Sequence, residues 1–159
     1  MIDWSKQHCG VHQATFDTMI ELMPDLYCIF TDFPENYHNF TWDVKVHMLM
    51  PNQYPCIPNW HVDNVPRPDG RQDFSLIKPE EYMYLWISGP PLTEFKTGFV
   101  QAKTWIKFNQ QDEHRGTASG DFCWRGFIRA SPFSILEPKK ENNLRKHCQV
   151  YVDANTFKW

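Results

Sequence analysis

The prolines set the first limit on the fold. Twelve of them are scattered through 159 residues, and a proline inside a helix removes a backbone donor and clashes with the preceding turn. A bundle of long helices is therefore excluded, and short segments joined by Pro- and Gly-containing loops remain. The segments between the prolines alternate. In residues 41–50, TWDVKVHMLM, Trp42, Val44, Val46, Met48 and Met50 fall on one side and Thr41, Asp43, Lys45 and His47 on the other. That period of two belongs to a strand with one apolar face.

The same reading along the chain predicts a mainly β protein. EYMYLWIS (81–88) is rich in aromatic and branched residues, and FVQAKTWIKF (99–108), DFCWRGFIRA (121–130) and QVYVD (149–153) read as further strands. Leu26 to Phe30 reads as a short strand, and GPPLTEFKTG and PRPDGRQDF read as turn and loop. One amphipathic helix is expected over residues 10–23, stopped by Pro24. The charged stretch EPKKENNLRKH is expected to be a solvated loop or helical turn. With about six to eight strands, one leading helix and no internal repeat, the expectation is a sandwich or barrel in a single domain, 1–159.

Composition removes several function classes. A net charge of -3 leaves no global basic footprint for nucleic acid. The five cysteines (Cys9, Cys28, Cys56, Cys123, Cys148) contain no CxxC pair, so zinc ribbons and thioredoxin-type motifs are out and reduced thiols are expected. Met1 leads into IDWSKQHCG without a basic start and apolar run, and no apolar run reaches membrane-span length. A cytoplasmic protein with no membrane partner is expected. The sequence leaves oligomeric state open.

The chemistry centres on YPCIPNWHVDNVPR, residues 54–67. His61 and Asp63 are two apart, so on an extended chain both point to one side. An imidazole and a carboxylate aimed at one point suit a metal ion. A second histidine would complete a 2-His-1-carboxylate set, and the candidate is His114 in HRGTASGDFCWRGFIRAS. Arg125 and Arg129 follow in a strand-like stretch, four residues apart and so on one face. Two inward guanidinium groups call for an anionic partner, and Arg grips a carboxylate with paired hydrogen bonds.

His61-Val62-Asp63, His114 and Arg125 together resemble the Fe(II)/2-oxoglutarate-dependent oxygenases, in particular the phytanoyl-CoA hydroxylase-like branch, over residues 54–131. The resemblance implies a double-stranded β-helix (a jelly-roll, cupin-like barrel). It implies His61, Asp63 and His114 as catalytic ligands of Fe(II), with Arg125, or in reserve Arg129, on the distal carboxylate of 2-oxoglutarate. The implied reaction is hydroxylation of a C–H bond of an unidentified substrate, with decarboxylation of 2-oxoglutarate to succinate. Tyr54, Tyr82 and Tyr84 are candidates to help hold the cosubstrate. The chain has little room for the lids of larger family members, so a shallow site open to a macromolecule, or one completed by an oligomer partner, stays as open as a pocket for a small molecule or nucleotide.

Several residues have a plainer reading beside the functional one. Trp60, Trp86 and Trp124 are expected in the core or the cavity wall, and Cys56 and Cys123 as buried inert thiols. His47 falls on the polar face of its strand, as a hydrogen-bonded histidine or a group near the metal. Lys139-Lys140 and Arg145-Lys146 form a basic patch, solvated or in contact with a phosphate backbone. Two other functions fit the sequence. One is a cupin-like metal protein with non-oxidative chemistry. The other is a non-catalytic β-sandwich interaction protein, such as a viral structural component, in which His61, Asp63 and His114 would lie apart or exposed.

Overall fold

The computed structural model describes residues 1–141, 144 and 146–153. Its largest element is a five-stranded antiparallel sheet in the order β1-β2-β9-β4-β7, formed by Gly10–Ala14, Phe40–Leu49, Cys123–Pro132, Met83–Ile87 and Ile106–Phe108. A three-stranded sheet, β6-β5-β8, is built from Gly98–Phe99, Thr93–Phe95 and His114–Gly116. A small pair joins β3 (Gln53–Tyr54) to β10 (Tyr151–Val152). Among the described residues no helix is long and apolar enough to cross a membrane.

The pairings are nested. β2 runs against β9 over ten residue pairs, from Phe40↔Pro132 to Leu49↔Cys123. Inside that pair, His61 bridges to His114 of β8. Further in, β4 pairs with β7, and at the centre β5 pairs with β6. The chain between Phe40 and Pro132 is thus one long hairpin with its tip between β5 and β6. Lateral pairing of β4 with β9 and of β5 with β8 folds that hairpin into two sheets.

Alternation along β2 and β9 gives the large sheet two different faces, because residues opposite one another in an antiparallel pair share a face. Trp42, Val44 and Val46 join Ile128, Ala130, Tyr84 and Trp86 in an apolar layer covered by Phe16, Met19, Leu26, Phe30 and Phe33. Trp42 is fully buried, its indole donating to the Tyr37 carbonyl at 3.1 Å. The other face turns toward the three-stranded sheet. Met83, Leu85, Ile87 and Phe127 meet Phe95, Val100 and Phe108 there in a second apolar cluster. Beside that cluster the inner face is polar: Thr41, Asp43, His47, Arg125 and Ser131 are all buried.

The N-terminal segment departs from expectation. Residues 10–14 are an edge strand and not the first turns of a helix, and the register against β2 shifts between Val11 and Ala14, where Gln13 has φ 59°. The helix, α1, spans only Phe16–Leu22. Thr15 caps it by accepting from the Thr18 amide at 3.3 Å, and Asp17 sits in its first turn. The apolar spacing that suggested one long helix belongs to two elements burying their side chains against the same sheet. Leu26 to Phe30 is likewise not a strand. It lies in a 3-10 helix, Pro24–Asp32, with Pro24 at its start, a position where the missing amide hydrogen costs nothing.

Three further corrections concern short strands. The stretch 99–108 is split between β6 and β7 because Lys103 takes a left-handed conformation, φ 61°, which no continuous strand accommodates. GPPLTEFKTG is not all turn: its Thr93 and Phe95 are buried and Glu94 less so, making β5. His61 is held by a single bridge rather than a strand, since the prolines around it cannot donate to a ladder. Met48 and Met50 are exposed, because the helical layer covers this face only as far as Val46. In the charged segment Lys139, Lys140 and Lys146 are exposed, and Arg145 lies outside the described residues.

Candidate metal centre

His61 and His114 are locked together by the backbone. The His61 amide donates to the His114 carbonyl at 3.0 Å and the His114 amide returns the bond at 2.9 Å. The two rings sit 4.4 Å apart between centroids. Each ring is oriented a second time by its Nδ1, which lies 2.8 Å from the Asn59 carbonyl in His61 and 3.2 Å from the Asp112 carbonyl in His114. A carbonyl only accepts, so Nδ1 carries a hydrogen in both rings, and in the neutral imidazole it is Nε2 that offers a lone pair. That is the tautomer a metal ligand needs, fixed by a backbone partner on the far nitrogen.

Asp63 completes the group, and one ligand atom from each of the three residues lies within 4.8 Å of the others. His114 Nε2 is 3.4 Å from Asp63 Oδ2. An imidazole nitrogen and a carboxylate oxygen at that distance are joined by the cation between them, a proton or a metal ion. Adjacent ligands on one metal at bond lengths of about 2.0–2.2 Å stand roughly 3 Å apart, so the observed separation suits a shared ion.

Electrostatics set the charge of this group. Burial pushes the Asp63 carboxyl up, but the Arg129 guanidinium and His114 outweigh it and hold it well below the usual carboxylate range. Burial pushes His61 down, toward the neutral imidazole. A carboxylate and two imidazoles make a donor set suited to a divalent cation.

Arg129 is the buckle of the site. Its Nη1 donates to Asp63 Oδ2 at 2.5 Å, while Nη2 and Nε donate to Asp43 Oδ2 at 2.5 and 3.2 Å. Asp43 faces Arg129 across the β2–β9 pair and also accepts from the Gln13 amide at 3.0 Å. Arg125 and Arg129 share the inner face. Arg125 is fully buried, with Nη2 donating to Thr93 Oγ1 at 2.7 Å and Nε to the Pro90 carbonyl at 3.3 Å. Its Nη1 has no hydrogen-bond partner among the described residues. Burial pushes its pKa down to about 10, so it remains a cation at neutral pH.

The triad opens on a cavity of about 80 Å³ whose walls include Lys45, Cys56, Thr93, Phe127, Arg129 and Tyr151. Arg125 stands behind Thr93 and is not part of that wall. That is several times the roughly 10–15 Å³ needed to hold a single water, so the space admits a small organic molecule. Burial pushes the Cys56 thiol up to about 11, so it is protonated and inert. The sequence reading missed Lys45, Thr93 and Tyr151. The signal for Lys45 was present in the alternation of β2, whereas Tyr151 reaches the site through the β3–β10 pair, which local pattern does not reveal.

The other candidates are dispersed. Tyr84 lies on the opposite face and donates to Glu35 at 2.9 Å. Tyr82 is exposed beside Lys107, and Tyr54 pairs with Tyr151. Trp86 belongs to the outer apolar layer, Trp124 is exposed, and Trp60 lies beneath Lys96 and Arg115, 3.8 and 4.6 Å from its ring centroid. Cys123 is half-buried. His47 is buried on the inner face opposite Arg125, with neither ring nitrogen hydrogen-bonded to a described residue. The dispersal expected of a non-catalytic sandwich does not describe His61, Asp63 and His114, which the fold brings together. Comparison with known proteins adds no relative: no family model, curated protein or solved structure matches the chain.

Proposed function

We propose that this chain is an Fe(II)- and 2-oxoglutarate-dependent dioxygenase that hydroxylates a C–H bond of its substrate and converts 2-oxoglutarate to succinate and carbon dioxide. One observation carries the reading. Two histidines with Nδ1 pinned to backbone carbonyls turn Nε2 toward a site shared with an ionised carboxylate, on the inner face of a two-sheet fold. A 2-His-1-carboxylate set leaves adjacent coordination positions open, which distinguishes this centre from a closed structural zinc site.

The nested pairing supports a double-stranded β-helix. Eight segments (β2, the His61 bridge, β4 to β7, β8 and β9) form one rolled hairpin, the arrangement from which a jelly roll is made.

His61, Asp63 and His114 would hold the iron, which when bound supplies keto-acid chelation and dioxygen activation. The chain's own residues do the rest. Arg129 keeps Asp63 ionised and aimed. Phe95 and Phe108 flank the His114 ring, with centroids at 4.9 and 5.9 Å, and shield its inner side from water. Cys56, kept as a thiol, does not compete for the metal.

The test is anaerobic addition of Fe(II) to metal-free protein, with and without 2-oxoglutarate, read in the visible spectrum. A weak charge-transfer band that needs both components and is absent in Asp63→Ala is the expected result. Metal binding without the band would favour the non-oxidative cupin-like reading. Absence of metal binding would overturn both.

A further inference from the structure

We propose that Lys45 is the anion-holding residue of this cavity, its ammonium receiving the distal carboxylate of the keto acid, in place of the two arginines that sequence spacing singles out. The inference rests on the oxygenase reading above and adds to it the residue that selects the cosubstrate.

Three cations share the inner face, and their existing ion pairs and their position against the cavity separate them. Arg129 has Nε, Nη1 and Nη2 all engaged by Asp43 and Asp63. Its guanidinium is thereby fixed between two carboxylates, one of them a metal ligand. Arg125 donates to Thr93 and to the Pro90 carbonyl and, although its Nη1 has no partner among the described residues, it stands outside the cavity wall. Lys45 is part of that wall. Its ammonium makes no ion pair or hydrogen bond with a described residue, and Nζ lies 5.0 Å from the centroid of the Phe127 ring.

A lysine so placed is an anomaly in a packed protein. Strand alternation could have put an apolar residue there, since Phe127, its partner across the β2–β9 pair, is apolar. Lys45 is partly buried, and Asp43 and Asp63, which act on it electrostatically, are held in direct ion pairs by Arg129, so a ligand carboxylate would give the ammonium the direct partner it lacks.

The charge balance agrees. Lys45, Arg125 and Arg129 outnumber Asp43 and Asp63 by one, and a divalent cation on the triad raises the excess to three. A dianion removes two of those charges, whereas a monocarboxylate removes one. The cavity's small volume confines that dianion to a short-chain acid with one end at the metal and the other at Lys45. Such a pair of attachment points discriminates 2-oxoglutarate from keto acids that lack a second carboxylate.

The experiment is a four-way comparison on anaerobic, Fe(II)-loaded protein, with dissociation constants measured by calorimetry. Wild type and Lys45→Met are each titrated with 2-oxoglutarate and with pyruvate, which keeps the keto-acid end and lacks the distal carboxylate. Wild type is expected to prefer 2-oxoglutarate by about 10- to 100-fold, the range of a charge-assisted hydrogen bond. Lys45→Met is expected to lose nearly all of that preference while still binding Fe(II), and Lys45→Arg to keep part of it. Should the Met variant fail to fold, Lys45→Gln serves in its place. A preference retained in the uncharged variant overturns the assignment of Lys45 and leaves the oxygenase reading standing. Wild-type protein that binds neither keto acid in an iron-dependent way overturns both.

Discussion

His47 makes the stability of this protein depend on pH in a way that one substitution can remove. It is 1% exposed, lies opposite Arg125 in the β2–β9 register, and neither ring nitrogen has a hydrogen-bond partner among the described residues. Burial, followed by the charges of Arg125 and Lys45, pushes its pKa down to about 3, against about 6.5 in an unfolded chain. Between these values the unfolded chain binds a proton that the folded chain refuses. The contribution is therefore present above about pH 6.5 and is lost progressively as pH falls toward 3. At pH 5 the unfolded state is favoured by about 2 kcal/mol relative to pH 7.5, at 1.36 kcal/mol per pH unit below 6.5. The assay is urea unfolding of metal-free wild type and His47→Leu at both pH values. Other groups titrate identically in the two proteins, so the difference of differences isolates His47. Wild type is expected to lose about 2 kcal/mol more than the variant on acidification. Equal losses would refute the argument, and would mean that the imidazole is protonated in the folded state despite facing a guanidinium.

Two other substitutions probe the frame that holds the site. A Cβ on Gly116 would lie 2.5 Å from the Cys56 carbonyl oxygen, a backbone atom that cannot swing aside, so Gly116→Ala is expected to cost about 1–3 kcal/mol. Because Gly116 follows His114 by two residues in β8, the same change is expected to weaken divalent-metal binding measured by calorimetry. Trp42→Ala, on the opposite face, is expected to cost about 3–5 kcal/mol in urea unfolding while leaving metal affinity unchanged in the protein that remains folded.

The strands legible in the sequence were those whose alternation extends over many residues. Phe40–Leu49 and Cys123–Pro132 form a ten-pair ladder, and their polar and apolar positions separate cleanly into the two faces. The triad was legible for a related reason: His61 and Asp63 are adjacent in an extended segment, and His114 lay at a spacing that matched a known pattern. What could not be read was set by tertiary contacts. Thr93 to Phe95 is too short to show a period, and its strand character comes from pairing with β8 and β6. Residues 10–22 carry apolar positions compatible with one helix. The bulge at Gln13 and the Thr15 cap divide them, because the edge of β2 offers Gly10 and Val11 backbone partners. The roles of the arginines were also out of reach. Spacing places Arg125 and Arg129 on one face, but only the register with β2 shows that Arg129 meets Asp43 and Arg125 meets His47.

That register gives Asp43 a function it would not have as an isolated buried carboxylate. Burial pushes its carboxyl up, yet Arg129 and His12 outweigh this and keep it ionised. It holds Arg129 through two donors, leaving Nη1 to point at Asp63. Asp43→Asn removes the charge but keeps the size. It frees the guanidinium to turn and take Asp63 with two hydrogen bonds, which draws the carboxylate away from the histidines. Partners one step removed from a metal typically account for 10- to 100-fold in affinity, so a loss of about that size is expected for Mn(II) or Zn(II) in competition titrations against a chelator. Folding stability should fall as well, since breaking a buried ion pair by removing one partner costs about 3–5 kcal/mol. A stability loss alone, with metal affinity intact, would show that Arg129 stays aimed at Asp63 without Asp43 and that the pair serves only to join β2 to β9. A loss of both would mean that the longest ladder of the sheet, formed by strands that carry none of the three ligands, sets the geometry of the metal centre.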